Sequence, residues 1–275
     1  IFRREWFCAG RSAELAAAGD FRLHRLAGEN VIVTRDKGGP LRALYNVCRH
    51  RGTELVSPVD PAAEAEIRCQ GRFPGAIRCP YHGWTYELDG ALRAAPWLDD
   101  RLDECKSQLS LHAVGIQEWG GFYFLNLDFH RRVGTPSLAE QLGPIPARIE
   151  RYGLDELRVG HSISYDVGAN WKVILENYNE CYHCGPVHPE LCDVVPAIRV
   201  QGGAGLDWDS GVPHRVGADT YSMSGTSPRV SFPRLNDEER VKHKGELAYP
   251  NLMLSLSREH GAAFRLWPVG AERTM

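Results

Sequence analysis

At 275 residues with a formal charge of −3 (32 Lys and Arg against 35 Asp and Glu), the chain offers no electrostatic reason to expect a nucleic-acid or polyanion partner. Its hydrophobic content of 43% and charged content of 24% suit a soluble protein with sizeable cores, and the length suits two ordinary domains. No run approaches the roughly 18 apolar residues of a membrane helix. The opening IFRREWFCAG lacks an apolar signal core and a cleavage pattern, so a cytoplasmic protein is expected.

In chain order, the first residues resemble an amphipathic element entered part-way, without an initiator Met, as in a chain cut there. Residues 21–128 then read as short strands. NVIVTRDKGG alternates and ends in a Gly-Gly turn, and LRALYNVC resumes the pattern. WTYELDGAL predicts a hairpin with Asp89-Gly90 at its turn, and WGGFYFLNLD a further apolar strand. The stretch between His50 and Cys79 contains SPVDPAAEAEIRCQGRFPGA (57–76), whose Pro, Ala and Gly predict a surface excursion carrying the non-ligand Cys69. A Pro- and Gly-bearing stretch follows residue 130, dividing a β-rich domain (1–130) from an α+β domain (131–275). HSISYDV predicts a strand. In ANWKVILENYNECYHC, residues Trp171, Ile174, Leu175, Tyr178 and Tyr182 fall at helical spacing, with Asn170 as N-cap and Gly185-Pro186 as the stop. Loops rich in Gly, Pro, Ser and Asp cover 201–236, and NLMLSLS and AAFRLWPV are closing strands.

Eight cysteines exceed what an intracellular enzyme of this size usually carries, and several lie two or three residues from histidines, which favours metal ligation over disulfides. Cys8, Cys69, Cys105 and Cys192 have no such neighbours and read as inert thiols. NVCRHRG places Cys48 and His50 on one tight loop, and IRCPYHGW places Cys79 and His82 on another. A zinc ribbon could use this donor set. The single-residue spacing of the first pair, and the rigid Pro80, Tyr81, Gly83 and Trp84 around the second, suit a redox centre better.

CRHRG…CPYHGWTYELDG resembles a Rieske [2Fe–2S] motif. The resemblance implies that Cys48 and Cys79 hold one iron and His50 and His82 the other, with a potential raised by the neutral imidazoles and by N–H donors to the sulfurs. Residues 51–78 separate the two loops by more than that family's usual gap.

Further on, ENYNECYHCGPVHPE sets Glu180 and His183 three apart on a helix, with His188 beyond the Gly185-Pro186 break. Two imidazoles, a carboxylate and open positions describe a non-haem Fe(II) site. The longer stretch NWKVILENYNECYHCGPVHPE is similar to the catalytic signature of Rieske non-haem iron oxygenase α subunits, and LWPVGAERTM resembles a late strand of their catalytic domain. That resemblance implies a small β-rich Rieske domain joined to an antiparallel-sheet helix-grip catalytic domain. It implies His183 and His188 as ligands of mononuclear iron. Glu180 is then the bridging acid joining a Rieske histidine (His82) of a neighbouring subunit to His183 across a homotrimer. Cys181 and Cys184 read as packing groups. The family's third, carboxylate ligand sits on a late helix; Asp193, Asp207, Asp209 and Asp219 come too early, so an incomplete catalytic domain is expected.

The implied activity is hydroxylation of an organic substrate by O2, with NAD(P)H electrons supplied by a separate reductase or ferredoxin and no GxGxxG fingerprint in the chain itself. The ECYHC pattern resembles the subset acting on quaternary methylammonium compounds, such as glycine betaine, carnitine and stachydrine, with demethylation or C–N cleavage. Aromatic-ring dioxygenation is the alternative. A Rieske electron carrier without an oxygenase site is the reading from a different class. For a quaternary ammonium, Trp208, Tyr221, Phe232, Tyr249 and Trp267 are the candidate cage residues.

Overall fold

The computed structural model describes residues 1–58, 67–98 and 105–275, which form two compact units, Ile1–Gln141 and Leu142–Met275. Among the described residues the first unit holds ten strands: β1 (Phe7–Arg11), β2 (Asp20–Leu26), β3 (Glu29–Arg35), β4 (Leu41–Tyr45), β5 (Ile67–Arg72), β6 (Ile77–Arg78), β7 (Thr85–Tyr86), β8 (Leu92–Ala94), β9 (Gly115–Trp119) and β10 (Phe122–Asn126). They pair as antiparallel sheets in the orders β4-β3-β2-β5, β1-β10-β9 and β6-β7-β8. The run Val31-Ile32-Val33 is buried on both sides of the pleat, as a β-branched run in a covered sheet should be.

The predicted hairpins form. β3 pairs with β4 from Arg35↔Leu41 to Val31↔Tyr45. At the 85–94 hairpin Gly90 has φ +93°, and a Cβ there would lie 2.8 Å from Leu44 Cδ2, so only glycine fits the turn. The 57–76 stretch departs from expectation. Ile67–Arg72 is not a surface excursion but an edge strand, paired with β2 from Asp20↔Arg72 to His24↔Ile67. IRCQGR follows the Pro- and Ala-rich run, and an open edge on β2 outweighs the loop-forming composition around it. The rest of that expected excursion, residues 59–66, lies outside the described residues.

In the second unit, short helices at Ile145–Ile149, Trp171–Asn179, Cys184–Val187 and Pro189–Val194 precede the sheet. The sheet runs β11 (Val212–Pro213), β12 (Lys242–Ala248), β13 (Leu252–Leu256) and β14 (Gly261–Arg265) in sequential antiparallel order. A small pair, β15 (Pro268–Gly270) and β16 (Arg273–Thr274), follows. Leu252, Leu254 and Leu256 of β13 alternate inward and are buried. HSISYDV runs exposed, and of its residues Val167 alone bridges, to Thr274, so a strand pattern without a ladder partner stays an extended segment among the described residues. No helix among the described residues is long and apolar enough to cross a membrane.

Candidate functional site

In the first unit the two ligand loops are built alike. Gly52 N–H donates to the Cys48 carbonyl (3.0 Å) and Gly83 N–H to the Cys79 carbonyl (3.2 Å), each glycine with φ near +74° (Gly52 +74°, Gly83 +73°). Each loop is closed by its cysteine N–H, Cys48 to the Thr53 carbonyl (2.9 Å) and Cys79 to the Trp84 carbonyl (2.8 Å). Buried Asn46 braces the first loop from below, its Oδ1 accepting from Leu55 and Val56 N–H at 3.0 and 2.9 Å.

This construction sorts the four donors. Cys48 and Cys79 are 2% and 3% exposed within the apolar core, close enough to interact with each other, whereas His50 and His82 are exposed with ring centroids 4.7 Å apart. Trp84 stacks on His50 (4.9 Å, 6° between planes) and Tyr81 leans on His82 at 3.7 Å. Burial pushes the Cys48 thiol up, so a metal is what would hold it as thiolate. Two buried sulfurs side by side, with two imidazoles at the solvent edge, fit an asymmetric iron–sulfur cluster. One functional residue escaped the sequence reading: the hydroxyl of buried Tyr86 lies 3.2 Å from Cys48 Sγ and accepts from Arg49 N–H at 3.1 Å. It ends the short strand β7, two residues past Trp84.

In the second unit the helix predicted through Tyr182 stops three residues earlier. Asn170 caps its start, accepting from Lys172 N–H at 3.0 Å. At its end Asn179 Nδ2 donates back to the Leu175 carbonyl (2.8 Å), and Glu180 is extended (φ −113°, ψ 147°). Glu180 and His183 therefore meet across a turn instead of along a helix face. One Glu180 oxygen accepts the Tyr182 N–H and the other pairs with His183 Nδ1. The chain then re-enters a helical turn at Cys184–Val187, where Pro186 needs no N–H partner, so Gly185-Pro186 begins a turn where a stop was expected. Pro189 opens the next helix and fixes His188 before it, bringing the His183 and His188 rings to 5.4 Å at 78°. His183 holds the Glu180 carboxyl below the ordinary glutamate range.

With Nδ1 engaged by Glu180, His183 has Nε2 as its ligand atom, with Cys184 Sγ 3.9 Å from it, so the two histidines fit two corners of a facial iron site. The nearby aspartates are occupied elsewhere: Asp209 with Arg148 (2.7 Å), Asp219 with Arg258 (2.9 Å), Asp207 with the Ser210 N–H (3.0 Å), and Asp193 loosely with Arg199 (3.8 Å). Among the described residues no three His, Cys, Asp or Glu groups gather as a metal site. Cys181 and Cys184 pack against the Cys192, Val194, Val195 and Ile198 cluster, and burial together with Cys181 pushes the Cys184 thiol up to about 12. Protonated thiols of that kind are packing groups.

The aromatic candidates separate. Trp208 and Tyr221 share His243 as neighbour, at ring distances of 6.3 and 4.1 Å. Tyr249 instead meets Trp171, Phe232 meets Tyr152, and Trp267 is buried. Beside the His183 turn a cleft of about 650 Å³ is lined by Cys181, Tyr182, Gly185, Pro186, Arg199 and Gly202.

Residues 5–108 match the Rieske [2Fe-2S] domain model, and residues 154–275 match the ring hydroxylating alpha subunit (catalytic domain) model. The carnitine monooxygenase oxygenase subunit of Acinetobacter baumannii is 37% identical over 211 residues, covering 76% of this chain and 53% of the relative. The glycine betaine monooxygenase oxygenase subunit of Pseudomonas aeruginosa is 32% identical over 209 residues, covering 76% of this chain and 43% of the relative. The chain thus spans about half the length of the curated relatives it matches. A solved quaternary ammonium Rieske monooxygenase, described for carnitine oxidation and inter-subunit electron transfer, superposes with TM-score 0.71 at 29% identity, covering 100% of this chain and 68% of that one.

Proposed function

The chain belongs to the Rieske-type ring-hydroxylating oxygenase α subunits, and from that premise we propose that it is a terminal oxygenase component for a quaternary methylammonium compound, working in the cytoplasm. The observation that carries this reading is the Glu180 carboxylate engaged with His183 Nδ1 beside the His188 ring, in a chain whose other unit gathers two buried thiols and two exposed imidazoles. Residues 1–130 are then the Rieske domain and 131–275 the catalytic domain. Cys48, Cys79, His50 and His82 would hold a [2Fe–2S] cluster, and His183 and His188 a mononuclear iron. These groups, when bound, supply the one-electron and oxygen chemistry that side chains lack.

The chain's own contribution is positional. By accepting from Nδ1–H, Glu180 would fix the His183 tautomer that keeps Nε2 as the ligand atom. Its side chain is 45% exposed, leaving room for a second partner, which on this reading is His82 of a neighbouring subunit in a homotrimer. Electrons from NAD(P)H arrive through a separate reductase or ferredoxin. The named relatives act on carnitine and glycine betaine, which is the support for the substrate class.

The test is oxygen uptake and product mass with betaines and aromatic acids side by side, using a surrogate reductase. Uptake coupled to loss of a methyl group, or to C–N cleavage, supports the reading; turnover of aromatic acids alone overturns the substrate class. A second expectation concerns Tyr86. With a cluster bound, its hydroxyl beside Cys48 Sγ would donate to the thiolate and favour the more negative, reduced state. Losing a hydrogen bond that differs by about 1 kcal/mol between redox states lowers a one-electron potential by about 40 mV. Tyr86→Phe should show that drop in a redox titration, with the visible spectrum of the cluster retained.

A further inference from the structure

The second unit assembles a group of side chains that the iron-motif reading leaves unused. Trp208 and Tyr221 pack against the same apolar cluster as Cys181 and Cys184, the residues that flank His183. Both are partly exposed, so each keeps aromatic surface for a ligand. His243 on β12 lies beside both rings, 4.1 Å from Tyr221 and 6.3 Å from Trp208 between centroids.

Resting on the substrate class proposed above, we propose that Trp208 and Tyr221, with His243 beside both, form the wall that receives the trimethylammonium head, with Asp219 and Glu259 supplying its counter-charge.

Three observations support this assignment. The first is charge. Asp219 and Glu259 face one permanent cation, the Arg258 guanidinium, at 2.9 and 3.9 Å, and Glu259 also meets His260 Nδ1 at 3.2 Å, so two carboxylates share one fixed positive charge. Thr220, adjacent to Tyr221, donates to Glu259 at 2.9 Å, which ties that carboxylate to the aromatic wall. Asp219 Oδ1 is a buried atom without a hydrogen-bond partner, while Glu259 Oε2 lies 3.9 Å from Arg258 Nε. A quaternary ammonium has no N–H to donate, and is held by negative potential and aromatic faces instead. Oxygens without donors are costly in most settings but suit that ligand.

The second is the neutrality of the neighbouring imidazole. Burial, with His214 and His260 nearby, pushes His243 down to about 3, so the ring carries no charge to oppose a cation at ordinary pH. The third is rigidity. The Lys244 ammonium donates to the carbonyls of Trp208 (2.8 Å) and Asp209 (2.5 Å), and Trp208 lies over Gly245, where a Cβ would already sit 3.4 Å from the indole. A wall held in place before binding loses little entropy on binding.

The cleft beside Cys181 and Tyr182 is the competing location. It is bordered by the Arg199 guanidinium, whose only ion-pair partner among the described residues, Asp193, is 3.8 Å away. That sign suits an anion and opposes an ammonium.

The experiment measures anaerobic binding of two ligands to the metal-loaded full chain: glycine betaine, and 3,3-dimethylbutanoate, which replaces the ammonium nitrogen by carbon and keeps the carboxylate. The wild type is expected to prefer the betaine. Trp208→Leu and Tyr221→Leu should each weaken the betaine about tenfold and leave the neutral-headed acid unchanged. Trp208→Phe and Tyr221→Phe should restore most of the preference. Glu259→Gln, which keeps shape, should weaken the betaine alone and serves if a leucine variant fails to fold. Equal losses for both ligands, or an intact preference in the leucine and glutamine variants, overturn the assignment and spare the substrate class. No preference in the wild type overturns both.

Discussion

Replacing Glu180 with Gln should leave both metal sites loaded and cut coupled turnover by on the order of a hundredfold. The geometry says why the two outcomes separate. An amide oxygen can still accept either the Tyr182 N–H or the His183 Nδ1–H, so the turn between the helix Trp171–Asn179 and the His188 turn keeps its shape. What the substitution removes is the negative charge shared between the two contacts. The His183 contact favours that charge, which is why the Glu180 carboxyl lies below the ordinary glutamate range. The measurement is product formed per NAD(P)H oxidised, alongside metal analysis and the cluster's visible spectrum. Near-wild-type coupling with normal iron content would remove Glu180 from the path between the two centres. Loss of iron would assign it to metal retention instead.

The candidate site was legible in the sequence wherever one short segment carries the chemistry. The two Cys/His loops are local structures closed by their own glycines, and Gly52 and Gly83 sit at positions needing φ > 0. The hairpin at Asp89-Gly90 and the strands of NVIVTRD and NLMLSLS were visible for the same reason: their period and turn chemistry are local. Glu180 shows the limit. Helical spacing continues through Tyr182, and nothing in the hydrophobic pattern announces that Asn179 caps the helix and that Glu180 turns back on His183. Ile67–Arg72 failed differently, because its strand depends on an edge of β2 that lies over forty residues earlier. Residues joined only by the fold, such as Tyr86 with Cys48 or Trp208 with Tyr221 and His243, carry no signal until the strands are in register.

Lys244→Met is expected to destabilise the second unit by about 3–5 kcal/mol, the usual cost of leaving one partner of a buried ion pair uncompensated. Lys244 and Glu246 are each only 4% exposed along their side chains and lie 3.0 Å apart on one face of β12. Glu246 also accepts from Arg148 at 2.8 and 2.6 Å, and Arg148 reaches Asp209 at 2.7 Å. Four charges thus form a chain, Lys244–Glu246–Arg148–Asp209, and the Lys244 ammonium is the member that also satisfies two carbonyls of the Trp208 loop. Removing it strands part of the Glu246 charge in the core and orphans both carbonyls at once. Removing both charges is a different perturbation. In Lys244→Met with Glu246→Gln, Arg148 still has Asp209, and no ion is left buried alone. The double variant should therefore be more stable than Lys244→Met by itself, with a coupling of about 1–3 kcal/mol in a double-mutant cycle by urea denaturation. A single-variant cost below about 1 kcal/mol would mean that the pair behaves as a surface bridge open to water. If the cost is instead as large as expected, betaine binding in Lys244→Met should weaken together with stability, because the carbonyls that hold Trp208 in place are the ones left without a donor.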